Sequence, residues 1–261
     1  MDSRWRVWEN EKVYGDTFFK RSVGELPEME SSKSIARKIK PLLSENDHIL
    51  DVGCGSGHYL ISLDKVLDKK FSYTGLDATA YYIERAKEAF QDNDKLCNPQ
   101  RTHTEFIKGD IYNLPFKDNY ADIVICSNVL LHLPSIKEPV KELVRAASKY
   151  VVIRTLVGNS SFRIKHVTDP EEFDRSGDPV NYYYYNIYSE KYVTGLVNSL
   201  PGVKRLSMVY DLDFNPGNIG ENEYREANVE VPFNVTRVMN GIQVNQYILQ
   251  PWQYIIIEKK R

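Results

Sequence analysis

Short apolar runs that end in acidic or glycine residues recur along the chain and predict the strands of a largely parallel sheet. The first run, Ile49–Val52, is followed by glycines at three alternate positions, and residues 58–63 then begin a helix. Glycine lets the backbone turn sharply and approach a ligand without an intervening side chain. A strand, a tight turn and a helix N-terminus form a nucleotide-type crevice at the carboxyl edge of a sheet. The pattern therefore predicts an α/β protein with a ligand at this turn.

Other segments repeat the strand and helix periodicities. They predict strands at 71–76, 203–210 and 253–258, and helices at 81–90 and from about Met29 to a break at Pro41. The sequence Met-Asn-Gly-Ile at 239–242 predicts a β-hairpin with a two-residue turn, because Asn-Gly readily adopts the positive φ angles that such a turn needs.

The spacing of the glycines narrows the class of ligand. A dinucleotide fingerprint needs G-x-G-x-x-G and a P-loop needs Gly-Lys-Ser or Gly-Lys-Thr, whereas this chain has G-x-G-x-G preceded by Asp51. An uncompensated carboxylate at this position repels a pyrophosphate and suits a ligand that carries an ammonium group. The alternative is a glycine turn that serves packing alone.

A second acidic residue follows the second predicted strand. Asp77 lies about twenty residues after the glycine turn, the separation at which nucleotide-binding βαβ units place a carboxylate that binds a ribose. Taken alone, Asp77 is also a good N-terminal cap for the helix at 81–90. Asp51 and Asp77 together favour the ribose interpretation.

Three further segments complete a recognisable order of motifs: Phe-Ile-Lys-Gly-Asp-Ile at 106–111, Leu-Pro-Phe at 114–116, and a strand that begins Tyr-Ala-Asp-Ile-Val at 120 and ends near His132. From about Ile49 to Ile153 the chain resembles the class I S-adenosylmethionine-dependent methyltransferases. The most similar group is that of ubiquinone and menaquinone biosynthesis, with a methyltransferase type 11 domain. The resemblance implies a Rossmann-like, doubly wound, seven-stranded mixed sheet with the last strand antiparallel, helices on both faces and a lid built from insertions. The Lys-Pro-Gly-Gly turn usual before the fifth strand is replaced by Ala-Ala-Ser-Lys at 146–149.

The resemblance also assigns residues to the methionine part of S-adenosylmethionine: Asp51, Gly53, Gly55, Gly57, Asn128, Tyr14 and Arg21. Asp51 would lie near the amino group, and Asn128 would offer its backbone carbonyl. Tyr14 and Arg21, in N-terminal helices, are candidates for the carboxylate. The alternative for these helices is plain packing of a surface helix.

For the adenosine part, the resemblance assigns Asp77 and Ala78 to the ribose side and Asp110 and Ile111 to the base. Asp110 would accept from the adenine amino group, while Ile111 would pack on the purine and donate its backbone N–H. The expected cofactor is S-adenosylmethionine, with S-adenosylhomocysteine as product. No metal is expected, because no metal-ligand spacing occurs in the sequence.

Composition argues against nucleic acid as a partner and against a membrane span. The 34 Lys and Arg residues are balanced by 36 Asp and Glu, which gives a formal charge of −2 and no basic stripe for nucleic acid. No apolar run approaches the roughly 18 residues that a membrane span needs. The first twelve residues lack the apolar core of a signal peptide, and three cysteines cannot form a disulfide framework. These features predict a cytoplasmic protein with reduced thiols, and they leave the oligomeric state open.

The remaining parts are predicted to surround a single methyltransferase domain over 1–261. Residues 1–45 form an N-terminal helical cover, 46–155 the cofactor-binding core, and 156–187 and 212–249 two insertions on the substrate side. Four consecutive tyrosines, 182–185, would place their rings alternately on opposite faces of a strand, so at most two could line one cavity.

His132 is the first candidate for a general base, because it follows the fourth strand and its side chain has a suitable pKa. The alternative is a histidine that only satisfies a backbone group at a helix end. Tyr183, Tyr185 and His166 are further candidates for binding the acceptor. The sequence favours a methyltransferase acting on the O, N or C atom of a small molecule. It leaves open a tRNA methyltransferase of the wobble-uridine type and a non-catalytic, cofactor-binding regulatory subunit.

Overall fold

The computed structural model describes residues 4–90, 96, 98–168, 171–212, 236–239, 242–245 and 248–260. Its strands are β1 (Asp47–Val52), β2 (Phe71–Asp77), β3 (Arg101–Lys108), β4 (Ala121–Ser127), β5 (Ala147–Gly158), β6 (Lys165–Val167), β7 (Tyr182–Tyr184), β8 (Tyr188–Ser189), β9 (Val203–Tyr210), β10 (Thr236–Met239), β11 (Ile242–Asn245), β12 (Ile248–Gln250) and β13 (Trp252–Lys259).

The α-helices are α1 (Lys12–Ser22), α2 (Glu30–Ile39), α3 (His58–Val66), α4 (Ala80–Phe90), α5 (Lys137–Ala146) and α6 (Glu190–Asn198). Three 3₁₀ turns lie at Val7–Asn10, Lys40–Leu42 and Leu130–His132. Pro41 lies in the second of these turns, so the predicted break after α2 is confirmed.

Seven strands form the central sheet in the order β3-β2-β1-β4-β5-β13-β9. The five strands from β3 to β5 are mutually parallel, and β13 runs antiparallel to both of its neighbours, β5 and β9. The predicted mixed sheet with an antiparallel last strand is therefore confirmed. The prediction of seven strands was incomplete, because two-residue β8 adds to the end of β5 as an eighth strand. Two small sheets, β6-β7 and β10-β11-β12, lie apart from it.

Both faces of the central sheet are buried under helices. Along β4, Ile123 and Ile125 join one apolar cluster with residues of α2, α3 and α4. Val124 and Cys126 point the other way, into a second cluster with residues of α5 and α6. This alternation follows from the two-residue period of a strand, and a strand covered on both faces reads as a continuous apolar run. The sheet is doubly wound, as predicted.

Outside the sheet, the described residues cover the predicted insertions unequally. The tract 156–187 contains the end of β5 and the pair β6-β7. Most of 212–249 lies outside the described residues, so its predicted role as a lid stays a prediction. The predicted hairpin is present, since β10 and β11 pair antiparallel with Met239 opposite Ile242, although its two turn residues lie outside the described ranges. Within those ranges, no helix has the length and apolar character needed to cross a bilayer.

Candidate functional site

A cavity of about 410 Å³ lies at the carboxyl edge of β1, β2 and β4, beneath the N-terminal residues and α1. This volume falls within the roughly 300–1,000 Å³ typical of small-molecule sites. The cavity wall contains most of the residues predicted to hold a cofactor: Asp51, Gly53, Gly55, Asp77, Ala78, Asp110, Ile111, Asn128 and Tyr14. Successive parallel strands end at the same edge, which brings residues from distant parts of the chain into one wall.

The glycine turn after β1 combines two different requirements. Gly53 has φ 85°, and a Cβ added there would lie 2.2 Å from Val129 Cγ2, so both conformation and space demand glycine. Gly57, with φ 78°, is not part of the described cavity wall; a Cβ there would meet the rings of Phe90 and Phe106 at 2.9 and 3.0 Å. Gly57 therefore serves the packing of the turn against the sheet, which departs from its predicted role beside the methionine.

Asp51 is buried at the end of β1, between β2 and β4, with 2 % of its surface exposed. The Tyr73 hydroxyl donates a hydrogen bond of 2.8 Å to Asp51 Oδ2. Burial raises the pKa of Asp51 to about 7; the Tyr73 hydrogen bond opposes the shift and the charge of Asp77 adds to it. A buried carboxylate with this pKa is ready to accept a cationic ligand group, which would compensate its charge.

Asp77, at the end of β2, bridges the glycine turn and the start of α4. Its Oδ2 accepts from the backbone N–H of Gly55 at 2.9 Å, and its Oδ1 accepts from that of Thr79 at 2.9 Å. Burial raises the pKa of Asp77, while these backbone hydrogen bonds lower it. The side chain thus caps the turn before α4 and also lies in the cavity wall, so the two interpretations of this residue are compatible.

Asp110 follows β3 and is already engaged by an arginine that the sequence did not point to. Arg6 Nη2 lies 2.7 Å from Asp110 Oδ2, and the Tyr112 N–H donates to Oδ1 at 3.0 Å. Arg6 and Ile111 both lie in the wall beside Asp110. Any group that hydrogen-bonds to Asp110 from the cavity therefore shares this carboxylate with Arg6.

Asn128 has a left-handed backbone, with φ 60°, and its side chain points away into a buried polar network. Its Nδ2 donates to the Tyr59 hydroxyl at 3.1 Å, and its Oδ1 accepts from Arg154 Nη1 at 2.6 Å. Arg154 is itself paired with Asp211 at 2.6 Å, and both side chains are buried. Asn128 itself lies in the cavity wall, and its predicted role through the backbone carbonyl stays a prediction.

The two predicted carboxylate ligands have different positions. Tyr14 lies in the wall, whereas Arg21 does not, because its guanidinium turns to the carbonyl oxygen of Pro27. Near Tyr14, the cavity wall also contains His58, the first residue of α3. The His58 ring stacks on Phe18, with ring centroids 4.3 Å apart. Burial, followed by the positive charge of Arg21, lowers the pKa of His58 to about 3. His58 is therefore neutral near pH 7.

An aromatic chamber, comprising Trp8, Tyr14, His132, Tyr183 and Tyr185, lies next to the glycine turn. The Trp8 ring is 5.2 Å from that of Tyr14, 5.1 Å from that of His132 and 5.5 Å from that of Tyr183, centroid to centroid. Trp8, Tyr14 and His132 reach the cavity wall, and Tyr183 and Tyr185 lie behind them.

The tyrosine run alternates as its strand period predicts: Tyr182 and Tyr184 are buried in the core, and the other two face the chamber. His166 stacks on Tyr183 at 4.5 Å and is not in the wall of the described cavity. None of Tyr183, Tyr185 and His166 therefore lines the described cavity. These residues lie one layer further out than their predicted role places them.

His132 is fixed by the carbonyl of Tyr184, 2.8 Å from its Nδ1. Burial lowers the pKa of His132 to about 4, against a smaller opposing effect of this hydrogen bond. The ring is then neutral near pH 7, with Nδ1 as donor to the carbonyl and Nε2 as acceptor. Both predicted roles fit: the ring satisfies a backbone group and still carries a free lone pair.

Wall residues to which the sequence assigned no role include Arg6, His58 and Tyr59, whereas Trp8 and Phe18 belong to the N-terminal segment that was expected to help form the site. None belongs to a motif, although the two tryptophans of the first eight residues mark that segment as apolar and aromatic. Among the residues that the structure describes, no group of three or more His, Cys, Asp or Glu is arranged to hold a metal ion.

The sequence similarity to known proteins is concentrated in the part of the chain that begins with β1 and ends in β5. A family model described as a methyltransferase domain matches residues 50–151. An uncharacterised methyltransferase of Schizosaccharomyces pombe is 34% identical over 102 residues, which cover 39% of this chain and 35% of that protein. A demethylmenaquinone methyltransferase of Lactiplantibacillus plantarum is 32% identical over 104 residues, covering 40% and 41%. The chain thus spans well under half the length of these relatives.

Solved structures extend the likeness over most of the chain. A methyltransferase dependent on S-adenosylmethionine from Methanosarcina mazei superposes with a TM-score of 0.56 at 20% identity, covering 85% of this chain and 96% of that one. Magnesium protoporphyrin IX methyltransferase from Synechocystis, with bound S-adenosylhomocysteine, gives 0.50 at 12% identity, covering 88% and 82%. At these identities the likeness shows the fold. Together with the strand order and the domain matched at residues 50–151, it shows that this chain resembles the class I S-adenosylmethionine-dependent methyltransferases, and among them the quinone-biosynthesis group.

Proposed function

We propose that the protein transfers the methyl group of S-adenosylmethionine to a small organic acceptor. The observation that carries this proposal is the row of three carboxylates, Asp51, Asp77 and Asp110, along one cavity. They lie at the ends of the adjacent strands β1 and β2 and just after β3, which is the order in which the ammonium group, the ribose and the adenine follow one another in the cofactor. The same carboxylates would repel a pyrophosphate.

The residues present fit this cofactor chemically. Asp51 is buried, and no positive charge contributes to its pKa among the described residues. An ammonium group would supply the positive charge that the ionised carboxylate needs. Asp77 has both oxygens on backbone donors, and each carboxylate oxygen has a further lone pair for a ribose hydroxyl. Ile111 offers an apolar surface to a purine.

The cofactor brings the activated methyl group, so the protein must align the acceptor with it and keep water out. The aromatic chamber is suited to both tasks. Its Trp8 and Tyr14 rings lie in the cavity wall and contact one another, which gives this side of the cavity an apolar surface. A hydroxyl or acidic carbon on the acceptor would also lose a proton, and His132 Nε2 is the acceptor group placed for it.

We place the acceptor against the chamber, on the side of the glycine turn away from Asp77 and Asp110. The walls there are aromatic and uncharged, which favours an acceptor with an aromatic or lipid-precursor part. Acceptors of this kind occur among relatives: one is named demethylmenaquinone methyltransferase and another, from Gibberella zeae, sterol 24-C-methyltransferase, the latter 36% identical over 98 residues.

Calorimetry of EDTA-treated protein with S-adenosylhomocysteine, S-adenosylmethionine and NAD tests the cofactor assignment. We expect heat with the first two ligands and none with NAD. In a folded Asp77→Ala variant, the affinity should fall by about 1–3 kcal/mol, the range for removing one partner of a buried, charged hydrogen bond. Binding of NAD in place of the methionine cofactor, or an unchanged affinity in this variant, would overturn the assignment. Methyl transfer from labelled cofactor to a panel of phenols, quinols and sterol precursors then identifies the acceptor.

A further inference from the structure

The turn that carries His132 is held by the short segment 184–188, which joins the first insertion to β8. Tyr188 donates from its hydroxyl to the carbonyl of Leu130 at 3.0 Å. The backbone N–H of Asn186 donates to the carbonyl of Leu131 at 2.9 Å. Together with the contact between His132 Nδ1 and the Tyr184 carbonyl, these bonds tie the turn Leu130–His132 to residues 184–188.

Asn186 is the centre of this arrangement, and it is an unusual residue for its surroundings. Only 1 % of its surface is exposed, and its Nδ2 donates to the Leu133 carbonyl at 2.8 Å and to the Tyr188 hydroxyl at 3.2 Å. Its Oδ1 is buried with no hydrogen-bond partner among the described residues. A buried polar atom left unpaired destabilises the fold, so stability alone does not explain an asparagine here.

The bonds of Asn186 bracket His132. Its backbone holds the carbonyl just before the histidine, and its side chain holds the carbonyl just after it, at Leu133. A shift of either carbonyl would turn the imidazole away from Tyr184 and change which ring nitrogen carries the proton. An apolar side chain of similar size could fill the space but could not hold the second carbonyl.

We propose that Asn186 is a positioning residue that fixes the orientation and tautomer of His132, with Tyr188 as its support. The proposal rests on the proposed function, in which His132 Nε2 faces the acceptor. Asn186 and Tyr188 act through the turn, and the described cavity wall contains neither of them. The insertion 156–187 and the end of β4 thereby form one unit, in which the insertion sets the geometry of a residue that belongs to the core domain.

The protonation of His132 reports on this arrangement directly. The groups packed around the imidazole are the Tyr184 carbonyl and the rings of Trp8, Tyr183 and Tyr185. Among the described residues, no charged side chain contributes to the lowered pKa of His132, which burial causes. When the turn is released, water reaches the ring and the pKa moves back toward its ordinary value of about 6.5.

The experiment is an NMR pH titration of the histidine resonances in the full chain, with His132 assigned by His132→Gln. We expect the wild-type His132 signal to stay neutral between about pH 5 and pH 8. In Asn186→Leu, its midpoint should rise into this window, by at least about one pH unit. Tyr188→Phe, which keeps the ring and loses the hydroxyl, should give a smaller shift in the same direction. Tyr192→Phe is the matched control, because its exposed ring stacks on Tyr188 but bonds nothing in the turn.

Two results separate this inference from the proposed function. If Asn186→Leu and Tyr188→Phe both keep S-adenosylhomocysteine affinity and His132 stays neutral throughout, the positioning role is wrong and the proposed function stands. If the wild type binds no S-adenosylhomocysteine while Asn186→Leu still shifts the His132 midpoint, the positioning holds and the proposed function fails. Should Asn186→Leu not fold, Tyr188→Phe decides: a shift supports the role, and its absence overturns it.

Discussion

The pKa of Asp51 makes the affinity for the cofactor depend on pH, and the size of this dependence follows from the structure. The carboxyl is buried beside Tyr73 and its pKa is raised to about 7. If an ammonium group binds there, only the ionised carboxylate attracts it. The free protein must therefore lose the Asp51 proton before it binds, and the affinity should rise as the pH rises toward neutrality.

The magnitude comes from two ionisations. The ionised fraction of Asp51 rises from about a tenth at pH 6 to about three quarters at pH 7.5, taking the pKa of about 7. The α-amino group of S-adenosylhomocysteine belongs to a free amino acid, whose neighbouring carboxylate keeps it protonated over the same range. The net gain in affinity is therefore about eightfold, which corresponds to about 1.2 kcal/mol.

The assay is calorimetry with S-adenosylhomocysteine at several pH values, compared with 5′-methylthioadenosine, which keeps the adenosine and sulfur but lacks the amino acid. We expect the eightfold rise for the first ligand and a flat profile for the second. In Asp51→Asn the rise should disappear and the affinity near pH 7.5 should fall. A flat profile for S-adenosylhomocysteine, or an equal rise for 5′-methylthioadenosine, would show that Asp51 does not bind the ammonium group.

Three further predictions concern stability and are checked by urea unfolding. The folded-state pKa of Asp51 is raised to about 7, so protonation of this carboxyl stabilises the fold at low pH, and that stability is lost as the pH rises to 7. Asp51→Asn cannot ionise and should therefore be more stable than wild type at pH 8, by up to about 4 kcal/mol. The difference should vanish near pH 4. Gly53→Ala should lose about 1–3 kcal/mol, because its Cβ would lie 2.2 Å from Val129 Cγ2 at a positive φ, and equal stability would contradict this. Tyr182→Ala should cost about 3–5 kcal/mol, as for a large buried ring, whereas Tyr183→Ala should cost less than half of that; similar losses would refute the alternation.

The sheet could be predicted from the sequence because its information is local. The apolar run at β1 and the strand 203–210 need only their own residues to be recognised, and β9 has the predicted bounds. The sequence also predicted that Asp51, Asp77 and Asp110 lie at the same edge of the sheet, because parallel strands end at one edge. The short strand β8 was missed, since two residues carry no periodic signal.

The cavity wall could not be predicted in the same way, because its remaining residues depend on contacts between distant segments. Arg6 and Asp110 are 104 positions apart, and the sequence around neither residue indicates that they form an ion pair. Arg21 was assigned to the cofactor from its helix alone, yet the bend after α1 brings the Pro27 carbonyl within reach of its guanidinium. A long, flexible side chain takes the partner that the folded backbone offers, and sequence position does not determine that choice.

His132 shows where local and distant information meet. Its place after β4 made it a candidate, but its place is equally that of a histidine that only satisfies a backbone group. In the structure, Nδ1 is bound to the Tyr184 carbonyl, which leaves Nε2 for the proton transfer that we propose. A general base and a histidine that satisfies a backbone group are alternatives only if the imidazole is treated as a single group, because its two nitrogens can have different partners. A neutral imidazole with one nitrogen fixed is a better-defined acceptor than one free to change tautomer, so the backbone contact supports a catalytic role for His132.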